Sequence, residues 1–194
     1  AVAQVESGTV KETHVLGRVL ERKNRFDVKL PLNTIDESSP ALAEALSIIL
    51  DTLRALLGPL LGDKGHGDVA ELFDLSAVVS DPGSLEQPLH KDQDWTKSIS
   101  VLSFFVALDD VTTEMGPTVF KPTSHLKDYV DGQPTGIQSY TALLNQGDVA
   151  MFDARVYHQG TANRSNKRRI MFYVSFKSTH AAGKVSSTSS SHGA

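Results

Sequence analysis

Apolar residues follow two kinds of spacing along the 194-residue chain, and the change between them divides it. Between Pro40 and Leu57 they recur at helical intervals: Leu42, Leu46, Ile49, Leu50, Leu53, Leu56 and Leu57 form one stripe, with Glu44, Asp51 and Arg54 on the polar side. Ser39 suits the N-cap, and Pro40 suits the first helical position because its missing N–H would have no partner there. Gly58-Pro59 reads as a stop or a kink. The spacing therefore predicts an amphipathic helix over 40–57, lying with its apolar stripe on the outer face of a sheet. The polar side lacks the basic set that a membrane-surface helix carries.

From Val69 onward the spacing shortens to strands, predicted at 70–79, 98–108, 117–121, 137–144, 148–158 and 168–177, with Gly, Pro, Asp and Asn between them. Upstream, Thr13–Val19 is a further candidate strand, and Arg25–Leu32 alternates apolar and polar residues as an edge segment does. Six or more short strands in one domain read as a sandwich or a barrel. The expected layout is one domain over 1–182 with its core at 69–178. Residues 183–194, rich in serine, are expected to form a flexible tail.

Composition narrows the chemistry. The chain has no cysteine, which excludes disulfides, thiolate metal sites and a cysteine nucleophile, so a metal would have to be held by His, Asp or Glu. Nineteen basic against 23 acidic residues give a net charge of −4 and no footprint for nucleic acid or an anionic membrane. A small-molecule substrate is the simpler expectation, and no apolar run approaches the ~20 residues that span a bilayer. The first residue is Ala1 rather than Met, which leaves room for a removed leader; otherwise a cytoplasmic location is expected. Oligomeric state is left open, a homodimer included.

Against that background three residues stand out. His90 and Asp92 are two apart, so on an extended chain both side chains project from one face while Lys91 points away. His158 closes the later run Gly147–His158, and it faces the same interior if residues 150, 152, 154, 156 and 158 (Ala, Phe, Ala, Val, His) point inward. Two imidazoles and one carboxylate make a facial triad that leaves open positions on a non-haem Fe(II), which is an oxygenase arrangement. An H-x-D pair alone is a weak signal. The chain contains a second one, His66-Gly67-Asp68, but that lies in the glycine-rich stretch 62–68, and a flexible loop makes a poor rigid metal site. His14, His180 and His192 lie in the terminal regions with no partner motif.

Three ordered stretches strengthen the reading: Ser80–Trp95, Glu114–His125 with its Met-Gly-Pro-Thr, and Gly147–Arg169. Together, over roughly residues 70 to 177, they resemble the phytanoyl-CoA dioxygenase family of Fe(II)- and 2-oxoglutarate-dependent oxygenases. The resemblance implies a mainly β, cupin-like double-stranded β-helix, or jelly roll, with flanking α-helices covering one sheet. It also implies Fe(II), 2-oxoglutarate and O₂ as the reacting set, with His90, Asp92 and His158 as metal ligands and catalytic centre. One departure is visible, since Thr123 stands where similar proteins carry glycine before Ser-His. His125 in that element is read as structural.

The remote carboxylate of 2-oxoglutarate needs a cation inside the barrel, and Arg168 and Arg169 compete for it. Residues 168, 170, 172, 174 and 176 (Arg, Ile, Phe, Val, Phe) suit packing beneath a helix, whereas 169, 171, 173 and 175 (Arg, Met, Tyr, Ser) suit a ligand-lined interior. Arg169 also lies eleven residues after His158, as the family arginine does. Gln87 and Thr118 match positions that hydrogen-bond 2-oxoglutarate in similar proteins, and Trp95 and Tyr173 are candidates for the substrate pocket. The implied reaction couples conversion of 2-oxoglutarate to succinate and CO₂ with hydroxylation or another oxidation of a small molecule. Halogenation is disfavoured, because Asp92 supplies a carboxylate where halogenating relatives have a small residue. Two alternatives from other classes are a Zn-dependent isomerase or hydrolase on the same fold and a catalytically inactive jelly-roll binding module. Segment Lys121–Thr135 is the expected carrier of substrate specificity.

Overall fold

A computed structural model describes residues 23–30, 40–61, 70–129 and 137–178. In chain order these form β1 (Arg25–Lys29), α1 (Pro40–Leu61), β2 (Glu71–Ser80), β3 (Val101–Ala107), a 3₁₀ turn (Thr113–Met115), β4 (Thr118–Phe120), β5 (Tyr140–Ala142), β6 (Val149–Asp153), β7 (His158–Gly160) and β8 (Arg169–Lys177). The strands make a five-stranded sheet of order β1-β2-β8-β3-β6 and a three-stranded sheet of order β5-β4-β7, antiparallel throughout. This is the jelly roll, mainly β with a helix on the outside of the larger sheet.

The period-2 alternation of the strands sorts residues into two layers. On the outer face, Leu75, Leu102, Phe104, Phe172, Val174 and Phe176 pack against Leu46, Leu53, Leu57 and Leu61 of α1. On the inner face, Val78, Phe105, Ala107 and Met171 meet Phe120 and Ala142 of the small sheet. Fully burying one such side chain contributes about 1.5–3 kcal/mol, so both layers hold the sheets in register. The expected parity of the last strand stands: Phe172, Val174 and Phe176 lie under α1, while Arg169, Met171, Tyr173 and Ser175 face the interior.

Three expectations need correction. Of the stop or kink expected at Gly58-Pro59, the stop is absent: the helix runs on to Leu61 with Pro59 inside it. Proline inside a helix removes one hydrogen bond and crowds the preceding turn, but Leu57 and Leu61 are both buried in the outer layer, and that packing outweighs the local loss. The strand expected over 148–158 is two strands in different sheets, because a turn at Ala154–Arg155 carries the chain from β6 to β7. The strand expected over 137–144 is only Tyr140–Ala142. Thr13–Val19, Ser39, the 62–68 glycine-rich stretch with His66, and the serine-rich tail lie outside the described residues, as do His14, His180 and His192. Among the described residues no helix is long and apolar enough to cross a membrane.

Candidate metal centre and anion clamp

His158 opens β7, where it pairs with Phe120, and its ring lies against Phe152 and Phe120 at centroid distances of 4.8 and 5.8 Å. His90 is not on a regular strand. It forms a single antiparallel bridge with His158 in which each N–H donates to the other's carbonyl, at 3.0 and 2.7 Å. The bridge brings the imidazoles together with ring centroids 4.5 Å apart. Asp92 follows in a bend rather than along a strand, with Oδ1 lying 3.8 Å from His90 Nε2 and 3.7 Å from His158 Nε2. One ligand atom from each of the three residues falls within 4.8 Å of the others.

The outer nitrogens of both rings are committed elsewhere. His90 Nδ1 lies 2.9 Å from the Pro88 carbonyl and His158 Nδ1 lies 3.0 Å from the Val156 carbonyl. A carbonyl only accepts, so each Nδ1 carries a proton, and a neutral His90 ring presents its Nε2 lone pair beside Asp92. Burial, and then the neighbouring His158, lower the pKa of His90 and favour that neutral form. Two Nε2 donors and a carboxylate oxygen in one cluster are the donor set that suits a divalent first-row metal.

Across the interior, Arg169 is completely buried. Its Nη1 donates to the carbonyl of Gly116, a residue held at φ +73°, and its Nε has no partner. Burial and then the charge of Arg25 pull its pKa down to about 9. The sequence reading did not identify Arg25 as a site residue. On β1 it pairs with Ser80, which in turn pairs with Arg169, so the two guanidiniums share the inner face. Arg25 Nη2 donates to the carbonyls of Leu85 and Thr161 at 3.1 and 2.7 Å, while Nε and Nη1 have no partner. Burial lowers its pKa to about 10, with Glu86 opposing. Among the described residues no carboxylate is in ion-pair contact with either arginine. The alternation in Arg25-Phe-Asp-Val-Lys29 was a usable signal, because it places the charged residues on one face; only the register shows that this face turns inward.

Gln87 and Thr118 flank the same place. Gln87 Oε1 accepts the Gly160 N–H at 2.8 Å, and Thr118 pairs with Gly160 on β4. A Cβ added to Gly160 would lie 2.6 Å from Gln87 Oε1 and 2.7 Å from Arg25 Nη1, so only glycine lets these two side chains approach β7 this closely. Tyr173 is partly buried on the inner face with its hydroxyl 3.0 Å from Ser103 Oγ, and desolvation followed by the Asp92 charge keeps it protonated. Trp95 is 43% exposed, with Lys127 Nζ 5.5 Å above its ring, so it belongs to the rim rather than the core. Arg168 points away from the interior and pairs with Asp81 at 2.5 Å. His125 has a buried Nδ1 without a partner and is not part of the donor cluster.

Fold and donor set together define a jelly-roll protein with a two-histidine, one-carboxylate centre. A family model described as phytanoyl-CoA dioxygenase (PhyH) matches residues 4–171, and the chain belongs to that family. Two curated relatives are fungal proteins named dioxygenases. That from Emericella variicolor (andF) is 29% identical over 136 residues, 64% of this chain and 45% of the relative. That from Aspergillus aculeatus (aneA) is 32% identical over 153 residues, 72% of this chain and 50% of the relative. The chain thus spans about half the length of the curated relatives it matches. Among solved structures, HygX from Streptomyces hygroscopicus, with nickel and 2-oxoglutarate bound, superposes with a TM-score of 0.60 at 12% identity, covering 93% of this chain and 80% of that one. At that identity the likeness speaks for the fold.

Proposed function

We propose that the protein is an Fe(II)- and 2-oxoglutarate-dependent dioxygenase that hydroxylates or otherwise oxidises a small molecule. The observation that carries this reading is the joint presence, in one interior, of the His90–Asp92–His158 donor cluster and two buried guanidiniums with no carboxylate in ion-pair contact among the described residues. A charged group left unpaired in a low-dielectric interior is costly, so its presence argues for a ligand of opposite sign. Family membership and the dioxygenase names of the relatives support the same chemistry.

In this reading His90, Asp92 and His158 hold the metal. Arg169 takes the remote carboxylate of 2-oxoglutarate, assisted by Arg25, because a planar guanidinium grips a carboxylate with two parallel bonds. Gln87 keeps Gly160 tight against the clamp, and Thr118 adds a hydroxyl beside it. Metal and keto acid together supply the oxidising power, with 2-oxoglutarate leaving as succinate and CO₂ and one atom of O₂ going to the substrate. Phe105, Phe152 and Tyr173 form an aromatic wall at ring spacings of 5.2 and 5.4 Å, and Phe152 lies against the His158 ring, so the wall bounds the donor cluster on one side. The protonated Tyr173 hydroxyl offers that wall a hydrogen-bond donor. With Asp92 supplying a carboxylate, the product should be hydroxylated or desaturated even in high chloride.

The test is spectroscopic. Anaerobic addition of 2-oxoglutarate to the Fe(II)-loaded protein should produce the visible charge-transfer absorption of a chelated keto acid, and admission of O₂ should yield succinate. A Zn isomerase or hydrolase would show neither. Absence of the band in protein that supports a reaction with Zn alone would overturn the reading.

A further inference from the structure

The turn between β6 and β7 carries more buried polar chemistry than a connection requires. Arg155 is buried, and each nitrogen of its guanidinium donates. Nε lies 2.9 and 3.1 Å from the two Asp153 oxygens, Nη2 lies 2.5 Å from Asp153 Oδ2, and Nη1 donates to the Thr96 carbonyl. The Arg155 backbone N–H adds a bond to Asp153 Oδ1 at 3.0 Å. A buried ion pair contributes little net stability, because desolvating two charges offsets their attraction. What such a pair does supply is a fixed geometry.

The group whose geometry it fixes is Asp92. His90 and His158 are tied by their own bridge, whereas Asp92 lies beyond it in a bend with its side chain 31% exposed. Its backbone is anchored through Ala154, whose carbonyl accepts the N–H groups of Asp92 and Gln93 at 2.9 and 3.0 Å. Ala154 stands between the two members of the ion pair. Arg155 therefore grips the residue before that acceptor and, through Thr96, the far part of the loop that leaves Asp92. The loop is braced beyond that point, with Thr96 Oγ1 donating to the Ser98 carbonyl at 2.7 Å and Gln93 Nε2 donating to Ser100 Oγ.

We propose that Arg155 is a positioning residue for the metal carboxylate, its guanidinium riveting the Ala154 turn to the loop after Asp92 so that the carboxylate stays beside both histidines. The proposal rests on the metal-site reading above. Ni(II) is a suitable probe, since imidazole binds it well enough for a centre lacking its carboxylate to remain measurable. Arg155→Lys keeps the charge but loses the planar fork. It should lower Ni(II) affinity about 10- to 100-fold, the usual consequence of removing a group that orients a ligand, with the far-UV spectrum of the metal-free protein unchanged. Asp153→Asn should act in the same direction and more weakly. The decisive measurement is the cycle with Asp92→Ala: if Arg155 acts through that carboxylate, Arg155→Lys costs nothing further in the Asp92→Ala background. Equal losses in both backgrounds would mean a merely structural role and overturn the proposal, as would wild-type affinity in Arg155→Lys. Should Arg155→Lys fail to fold, Asp153→Asn, measured in the same two backgrounds, still decides. If the wild type binds no Ni(II), or His90→Ala binds it as tightly, the metal-site reading itself falls and takes this inference with it.

Discussion

The two faces of the five-stranded sheet are built from alternate residues of the same strands, yet they obey opposite rules. The outer face of β8 and β3 is Phe172, Val174, Phe176, Leu102 and Phe104, closed by α1. The inner face of the same strands carries Arg169, Tyr173, Ser175 and Ser103, and β1 adds Arg25 and Asp27, all buried or nearly so. On the inner face Arg25, Asp27, Arg169, Ser76 and Ser175 leave buried polar atoms without a hydrogen-bond partner. Buried polar groups are normally satisfied, so these exceptions set the inner face apart from the outer one and accord with the ligand-lined interior proposed above. One face holds the sheet together, and the other is shaped for what enters it.

The sharpest way to break that comparison is to remove a metal donor. His90→Ala or His158→Ala should abolish succinate formation, with at least about a thousandfold loss if the centre is lost as a unit. The melting temperature of the metal-free His90→Ala protein should change little, since that side chain is only partly buried, whereas His158→Ala should lower it by removing a ring packed against Phe152 and Phe120. His66→Ala should retain near wild-type turnover. Full activity in His90→Ala would remove the functional meaning of the inner face.

The reverse experiment cuts the outer face. Phe104 is fully buried beneath α1, and Phe104→Ala should cost about 3–5 kcal/mol of stability by denaturant titration, as truncating a large core side chain does. The fraction that remains folded should bind 2-oxoglutarate with unchanged affinity. A comparable loss of affinity would show that the two layers are not separable.

Arg168 and Arg169 allow the comparison to be made within one dipeptide. Arg169→Ala should weaken 2-oxoglutarate binding by about 2–5 kcal/mol, measured in the Fe(II)-loaded, oxygen-free protein, because one partner of a buried charge pair is removed. Arg168, paired with Asp81 at a partly exposed position, should cost about 1 kcal/mol or less when truncated. Equal losses would contradict the facing of β8.

How much of this was legible beforehand follows from which signals are local. The grouping of the His-Asp-His residues could be read because His90 and Asp92 sit two apart in a recognisable stretch, and the inward facing of Arg169 because period-2 alternation is a property of the strand itself. The break between β6 and β7 could not, since Ala154-Arg-Val-Tyr157 has the composition of a strand and the turn is fixed by Asp153 and Arg155 contacts that reach Thr96. Arg25 was hidden for a related reason. Alternation says that Arg25, Asp27 and Lys29 share a face, but the pairing of β1 with β2 decides whether that face meets water or the barrel. The stop offered at Gly58-Pro59 did not hold because local preference yields to the burial of Leu57 and Leu61.

The smallest expected effect concerns a strained residue beside the site rather than either face. Thr123 adopts φ 68°, a left-handed conformation that crowds a β-branched side chain, at the position where similar proteins carry glycine. The turn is held from both sides: Ser124 Oγ donates to the Lys121 carbonyl at 2.6 Å and accepts the Tyr157 N–H at 2.7 Å. Lys121 N–H returns a bond to the Tyr157 carbonyl at 2.8 Å. Those bonds fix the residue next to His158, so the left-handed geometry is imposed by the site and tolerated by threonine. Relieving it with Thr123→Gly would recover about 1–2 kcal/mol of conformational strain. Against that stand the extra freedom glycine has in the unfolded chain, about 0.5–1 kcal/mol, and the loss of the Thr123 Oγ1 bond to the Pro122 carbonyl. The balance should be a stabilisation of about 0.5 kcal/mol, read as a small rise in the denaturant midpoint with an unchanged slope, and Ni(II) affinity should stay at the wild-type value. A destabilised Thr123→Gly would mean that the threonine side chain contributes more to the turn than its backbone costs. In that case the departure at this position is a feature of the rim rather than strain stored beside the site.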